Sequence, residues 1–191
     1  MAQRSRDPFR ILIACLLSLR TQDAVTAQAA ARLFRLARTP RTLRRLSRRT
    51  IERAIYPVGF YRTKTRHIHG ICDMLAASFG GHVPSELEQL LMLPGVGRKT
   101  ANLVRVEGFQ QPGICVDTHV HRISNRLGLV RTRTPEQTEM ALRAKLPRRH
   151  WPVYNELLVS FGQTVCHPTS PWCSRCPVEA WCAKRGVEHS R

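Results

Sequence analysis

Acidic residues are scarce in this sequence. Only 13 Asp and Glu stand against 31 Lys and Arg in 191 residues, which gives a formal net charge of +18. So many positive charges repel one another and oppose compaction, and proteins with such an excess usually bind a polyanion. Nucleic acid is the first partner expected and an anionic membrane surface the second. Lysine is scarce too, with four residues, but an Arg-biased genome would not explain the excess of basic over acidic side chains.

Long apolar runs are missing. The stretch Ile11–Leu17 follows a short basic segment and mimics a signal peptide, but too few apolar residues precede Cys15 for export. Arg20 closes the run long before it could span a bilayer. We therefore predict a buried helix here and a cytoplasmic protein, whose 42% hydrophobic residues suffice for a core without disulfides.

Sustained apolar–polar alternation, fixed-period repeats, long linkers and low-complexity tracts are also absent, and helix signals dominate instead. Proline near a helix start marks four sites, at Pro8, Pro40, Pro135 and Pro152, the first three preceded by an Asp or Thr suited to the N-cap. The Arg-rich run 41–53 interleaves Leu and Ile at helical spacing, which predicts a solvated helix face. The fold class predicted is all-α.

The segment Leu93–Asn102 is the most informative stretch. Pro94 and Gly95 end one helix, Gly95 and Gly97 permit a close backbone approach, and a new helix is expected to start near Arg98. The amides of a helix N-terminus favour an anion such as a DNA phosphate. The whole pattern resembles the helix–hairpin–helix of the endonuclease III superfamily of DNA glycosylases; a plain helix–turn–helix connection is the alternative.

Lys99 falls in the first turn of the helix after the hairpin, beside Arg98. A cation at a positive helix end is electrostatically unfavourable, which promotes the neutral amine that a nucleophile needs. On spacing alone, a phosphate-binding lysine is equally plausible. The resemblance favours the nucleophile, because in endonuclease III-like enzymes a lysine here marks the bifunctional members, which are both glycosylase and lyase.

Asp117 ends the apolar run before Thr118 and His119, at the expected start of a helix over His119–Leu127. An ordinary N-cap is one interpretation. The resemblance places an essential Asp here, whose carboxylate would stabilise the positive charge that builds on the sugar and could accept a proton from the attacking amine. His119 and His121 are expected to line a groove near phosphates, with a plain surface role as the alternative.

Seven cysteines are an odd number for a disulfide scaffold, and Cys15, Cys72 and Cys115 sit singly in apolar surroundings, as core residues do. The other four follow the spacing C-x6-C-x2-C-x5-C. Four thiolates in a short loop favour zinc or an iron–sulfur cluster, and two disulfides are a weaker alternative. The spacing resembles the [4Fe–4S] loop of endonuclease III. The predicted ligands are Cys166, Cys173, Cys176 and Cys182.

A base inside a duplex must be flipped out before its sugar can be attacked, and a side chain must fill the gap. Two positions resemble the wedges of the family. Arg20 stands where many members carry Gln, and Phe60 stands where Leu is common. An aromatic wedge is physically reasonable; a core side chain is the alternative for Phe60. These departures leave the choice of opposite base open.

The resemblance covers the chain from about Asp7 to Cys182 and implies two helical lobes with DNA in the groove between them. We predict a helical barrel over 8–111 and an iron–sulfur domain over 112–191, which residues 1–7 could complete. The long bacterial members carry an additional helix before the position of Asp7. A monomer is expected.

The predicted activity is that of a base excision repair glycosylase and abasic-site lyase, with Lys99 and Asp117 as catalytic residues and oxidised pyrimidines as substrates. A mismatch-specific glycosylase, for thymine, uracil or adenine, and a non-catalytic damage-binding protein are the alternatives. The partner is double-stranded DNA with a damaged base or an abasic site, not a membrane. The residues expected to contact DNA are Arg20, Phe60, Gly95, Val96, Gly97, Arg98, Thr100 and His119.

Overall fold

In the computed structural model, residues 6–191 are described, and within them the regular structure is helical throughout. The helices are α1 (Pro8–Ser18), α2 (Asp23–Leu36), α3 (Pro40–Arg44), α4 (Arg48–Ile55), α5 (Tyr61–Ser78), α6 (Leu87–Leu91), α7 (Arg98–Phe109), α8 (Thr118–Arg126), α9 (Pro135–Lys145) and α10 (Trp151–Thr164). Short 3-10 turns cover Arg148–His150, Cys173–Arg175 and Glu179–Trp181. The predicted all-α class is confirmed.

The predicted helix starts follow from side-chain capping. Asp7 accepts a hydrogen bond from the backbone N–H of Phe9 at 2.9 Å, and Thr39 forms a reciprocal capping box with Thr42. Thr134 caps α9 by accepting a hydrogen bond from the N–H of Gln137 at 3.3 Å. Each of these caps satisfies an amide that the first helical turn leaves without an intrahelical acceptor.

The chain divides into two compact units between Gln111 and Pro112. Helices α1 to α7 belong to the first, in which α1 packs against α2, α5 and α7. Each large aliphatic side chain removed from water there contributes about 1.5–3 kcal/mol. The fully buried side chains of this core include Leu12, Ile13, Leu16, Leu17, Leu33, Ile68, Ile71 and Leu75.

The Arg-rich run of the sequence forms α3 and α4 in this first unit. Leu43 and Ile51 are fully buried, whereas the arginines around them are exposed. The predicted solvated helix face is confirmed, on two short helices instead of one.

The second unit contains α8, α9 and α10, followed by the cysteine-containing segment. Helix α8 packs against both α9 and α10. The buried side chains of its core are Ile114, Val116, Val120, Ile123, Val130, Leu142, Trp151 and Leu158. The expectation that residues 1–7 complete this unit falls mainly on residues 1–5, which lie outside the described residues.

Candidate active site

The hairpin between α6 and α7 is anchored by two buried side chains and shaped by two glycines. Leu93 and Val96 are buried, and the N–H of Val96 donates to the carbonyl of Leu93 at 3.1 Å. Gly95 has a φ of +75°, and a Cβ atom there would overlap the imidazole of His67. Gly97 precedes α7, and its carbonyl accepts the first helical hydrogen bond, from Ala101, at 2.9 Å. The predicted helix start at Arg98 is therefore correct.

Lys99 is exposed on the first turn of α7, while the next side chain, that of Thr100, is buried. The first turn of this helix contains no acidic residue and no side-chain cap. The two cations Arg98 and Lys99 therefore add to the positive end of the helix dipole. An exposed amine in such a place can approach an anionic ligand such as a nucleic-acid backbone.

Asp117 is the N-cap of α8, and its Oδ1 accepts a hydrogen bond from the N–H of Val120 at 2.9 Å. The residue is half-buried and follows the buried run Ile114–Val116. Behind this run, the amide of Asn155 donates to the carbonyl of Cys115 at 3.0 Å. The N-cap interpretation is thus correct for the geometry, and it leaves the proposed chemical role of the carboxylate open.

Arg122 lies on α8, five residues after Asp117. Burial lowers the pKa of Arg122, and Arg126 lowers it further, whereas Cys166 and Asp117 oppose this shift in pKa. Its guanidinium donates to the carbonyl of Cys166 at 2.8 Å. Arg122 therefore lies in the field of the Asp117 carboxylate while it is bonded to the first residue of the four-cysteine segment.

The two histidines of α8 have partners inside their own unit. His119 packs against α10, where a Cβ on Gly162 would overlap its ring, and its Nδ1 lies 3.2 Å from the guanidinium of Arg122. The Nδ1 of His121 lies 2.7 Å from the hydroxyl of Thr138. Both rings are half-buried.

The two predicted wedge residues lie side by side in the first unit. Arg20 and Phe60 have positive φ values of 53° and 57°, and the Arg20 guanidinium lies 5.7 Å from the centre of the Phe60 ring. Phe60 is 63% exposed, so the alternative of a core side chain is wrong. Two exposed side chains on strained backbone form one protruding pair.

A buried lysine that the sequence interpretation left without a role lies behind this pair. The ammonium of Lys64 donates to the carbonyls of Leu17 and Leu19 at 2.8 and 2.6 Å and to the hydroxyl of Thr21 at 3.3 Å. Burial lowers the pKa of Lys64 to about 8. Its position on the apolar face of α5, one turn before Ile68, is the signal from which it could have been found.

The four clustered cysteines are all half-buried and line one cavity. Burial raises the pKa of Cys176, a backbone hydrogen bond at Val178 opposes this shift, and the other three thiols add to it. Among the described residues these thiols form no disulfide, and no three metal-binding side chains meet closely enough to hold one ion. Four soft thiol donors around a single cavity suit an iron–sulfur cluster or zinc by their chemistry.

The cavity is supported by Arg126, another residue that the sequence interpretation missed. Its buried guanidinium donates to the carbonyls of His167 and Pro168 at 2.6 and 2.7 Å and lies 3.5 Å from the sulfur of Cys166. Its own carbonyl lies 3.5 Å from the sulfur of Cys182. One residue of α8 thus contacts both ends of the four-cysteine segment.

Comparison with known proteins shows the family of this chain. The sequence profile of the HhH-GPD superfamily of base excision DNA repair proteins matches residues 13–148. The chain belongs to this superfamily. Among HhH-GPD relatives, endonuclease III of Thermotoga maritima is 48% identical over 179 residues, which cover 94% of this chain and 84% of the relative. Endonuclease III homolog 2 of Arabidopsis thaliana is 43% identical, and the match spans 91% of this chain and 47% of that longer protein.

Two solved structures are similar to this chain. A trapped endonuclease III–DNA covalent intermediate superposes with a TM-score of 0.87 at 38% identity, over 94% of this chain and 85% of that one. A thermostable thymine-DNA glycosylase has a TM-score of 0.85 at 23% identity, with 95% and 85% covered, and it shares the fold. The predicted family is confirmed.

In the described part of the chain, no helix is both long and apolar enough to cross a bilayer.

Proposed function

We propose that this chain is a base excision repair enzyme that removes a damaged base from double-stranded DNA and then cleaves the abasic site. The observation that carries the proposal is the exposed Lys99 in the first turn of α7, within a chain of the HhH-GPD superfamily. The 48% identical relative from T. maritima bears the name endonuclease III. Oxidised pyrimidines are the substrates proposed.

The reaction starts at Lys99. The lone pair of its amine forms a bond to C1′ while the bond between C1′ and the base breaks, and the base leaves with the bonding electrons. Asp117 stabilises the positive charge that develops on the sugar and accepts a proton from the amine. The sugar ring then opens to a Schiff base, and β-elimination expels the 3′ phosphate.

The remaining proposed contacts hold the duplex. The backbone of the hairpin, over residues 95–98 and at Thr100, would contact a phosphate, with the amides of Gly97, Arg98 and Thr100 as donors. The N–H of Val96 is bonded to Leu93, and the side chains of Val96 and Thr100 are buried. Arg20 and Phe60 would fill the space left by the flipped nucleotide. His119 is proposed to lie near a phosphate. The protein would act as a monomer in the cytoplasm, on the nucleoid.

The four cysteines would hold a [4Fe–4S] cluster. Such a cluster, when bound, would cross-link the segment 166–182, which Arg126 and Arg122 already tie to α8. Purified protein should contain iron and absorb at ~400 nm, as thiolate-bound iron–sulfur clusters do. This absorbance should disappear in Cys176→Ser and persist in Cys72→Ala, which alters a buried core thiol. A colourless protein that contains zinc would contradict the cluster assignment.

Borohydride trapping tests the catalytic proposal. Wild-type protein and abasic-site duplex should form a covalent adduct, because borohydride reduces a Schiff base to a stable amine. Lys99→Ala should form none, whereas Lys145→Ala, a change at an exposed lysine of the second unit, should form as much as the wild type. If the wild type formed no adduct, the lyase proposal would be wrong. Duplexes with single oxidised pyrimidines or G:T and G:U mismatches then distinguish the proposed substrates from the mismatch alternative.

A further inference from the structure

Lys64 is hydrogen-bonded to both of the loops that carry the proposed wedge. Lys64 is 5% exposed, and an ammonium group has three donor hydrogens. The three acceptors, on Leu17, Leu19 and Thr21, all lie on the segment that contains Arg20. Its burial also makes it unsuitable as a nucleophile.

The backbone of the same residue is bonded to the second loop. The N–H of Lys64 donates to the carbonyl of Phe60 at 3.0 Å, which is the first hydrogen bond of α5. Lys64 therefore holds Phe60 through its main chain and the Arg20 segment through its side chain.

The two loops also touch directly, at a position where only glycine fits. A Cβ on Gly59 would lie 2.6 Å from the carbonyl oxygen of Arg20. The N–H of Gly59 donates to the Thr21 hydroxyl at 3.1 Å. The Thr21 hydroxyl thus receives hydrogen bonds from both Gly59 and Lys64, and the loops form one connected network.

This network explains how two strained residues can stay in place. A left-handed backbone costs a residue with a side chain roughly 1–2 kcal/mol, and both Arg20 and Phe60 have it. Such conformations persist only where the surroundings determine them. An ammonium is costly to bury, and here burial lowers the pKa of Lys64 to about 8. Its three hydrogen bonds all go to the Arg20 segment, and the backbone N–H of the same residue is bonded to Phe60.

We propose that Lys64 is a positioning residue for the wedge: it holds Arg20 and Phe60 as a rigid pair before DNA is bound. The inference rests on the proposed function. Since a preorganised pair avoids the entropy cost of ordering two loops during base flipping, the network should matter only where a nucleotide must leave a duplex.

Two substrates separate positioning from general stability. Cleavage of an abasic site in a duplex requires the wedge, whereas cleavage of an abasic site in a single strand does not, because no opposite strand leaves a gap. Lys64→Met should lower the rate on the duplex by up to about 100-fold, the loss expected from a misplaced group. The rate on the single strand should be unchanged. Because both rates come from one preparation, their ratio does not depend on the fraction of folded protein.

Two further variants make the test specific. Thr21→Val removes the shared hydroxyl with little change in volume and should lower the same ratio by a smaller factor. Lys145→Met is the matched control, since it also removes a lysine bound to a carbonyl, that of Leu129, and should keep the wild-type ratio. In the Phe60→Ala background, Lys64→Met should cause little further loss, because residues that act through one another are not additive.

Each outcome decides the matter. A wild-type duplex-to-single-strand ratio in both Lys64→Met and Thr21→Val would overturn the inference, as would equal loss on both substrates or fully additive effects of Lys64→Met and Phe60→Ala. If the wild type cleaves neither substrate, the proposed function itself fails. If Lys64→Met cleaves the single strand and not the duplex, the result supports both the proposed function and the positioning role of Lys64.

Discussion

At the scale of single residues, a proposed catalytic side chain can also have a structural role. Asp117 is a helix cap whose carboxylate is also the proposed catalytic group, and Oδ1 is committed to the N–H of Val120. An asparagine can make the same cap but has no charge. The two roles can therefore be separated by one substitution.

Asp117→Asn should reduce base excision by about 100-fold while the free energy of unfolding changes by no more than a few tenths of a kcal/mol. Single-turnover excision rates and urea denaturation measure the two effects. Asp7→Asn is the matched control, because Asp7 caps α1 through the N–H of Phe9. It should alter neither quantity. Unchanged excision in Asp117→Asn would instead assign the residue to the cap alone.

Lys64 should make stability depend on pH in the alkaline range. Its pKa lies near 8 in the fold against 10.5 in an unfolded chain. Between these values the unfolded state binds more protons, so the free energy of unfolding rises with pH, while below pH 8 the full cost of burying the charge is present. Relative to Lys64→Met, the wild type should gain on the order of 2–3 kcal/mol between pH 8 and 10.5.

Urea denaturation of both proteins across this range measures that difference, and taking the difference cancels the titration of other groups. A constant difference across the range would mean that Lys64 keeps its proton in the fold up to its ordinary pKa.

At the scale of elements, the hairpin before α7 depends on its first glycine. Gly95 has a φ of +75° and no room for a Cβ beside His67. Gly81 has a φ of +81° with open space around it. The two positions share the backbone requirement and differ in steric room.

Gly81→Ala should therefore cost about 1–2 kcal/mol, the ordinary penalty for a left-handed residue with a side chain. Gly95→Ala should cost roughly 1–3 kcal/mol more, because the methyl group must displace the imidazole. Thermal unfolding measures both. His67→Ala combined with Gly95→Ala should recover the additional loss. If both alanine variants unfold alike, the contact with His67 is unimportant.

At the scale of the whole molecule, the charge of +18 sets the conditions of binding. Every phosphate neutralised adds about 0.9 to the slope of log affinity against log salt, so duplex affinity should fall steeply with salt. Arg98→Ala should lower that slope by about 1. Arg44→Ala removes the same charge from an exposed pair with Asp73 and should leave the slope unchanged. A flat salt response in the wild type would mean that the charge serves another partner.

Features that depend on neighbouring residues could be predicted from the sequence, whereas contacts between residues far apart in the chain could not. Caps such as Asp7 and Thr39, the helix start at Arg98 and the core thiols are local or compositional features, and they were predictable. The network around Lys64 joins residues more than 40 positions apart, and Arg126 reaches Cys166 across a similar distance. No periodicity encodes such hydrogen bonds. The exposed side chain of Phe60 was ambiguous for the same reason, because its surroundings come from distant segments.

The burial of Lys64 also allows the opening of its two loops to be measured by chemical labelling. An acylating reagent modifies an amine only while solvent reaches it, so Lys64 reacts only when its two loops open, whereas the exposed Lys145 reacts at once. With four lysines in the chain, mass spectrometry can follow each one separately. The labelling rate of Lys64 relative to Lys145 thus measures how often the loops separate, and a duplex that holds them together should slow that rate.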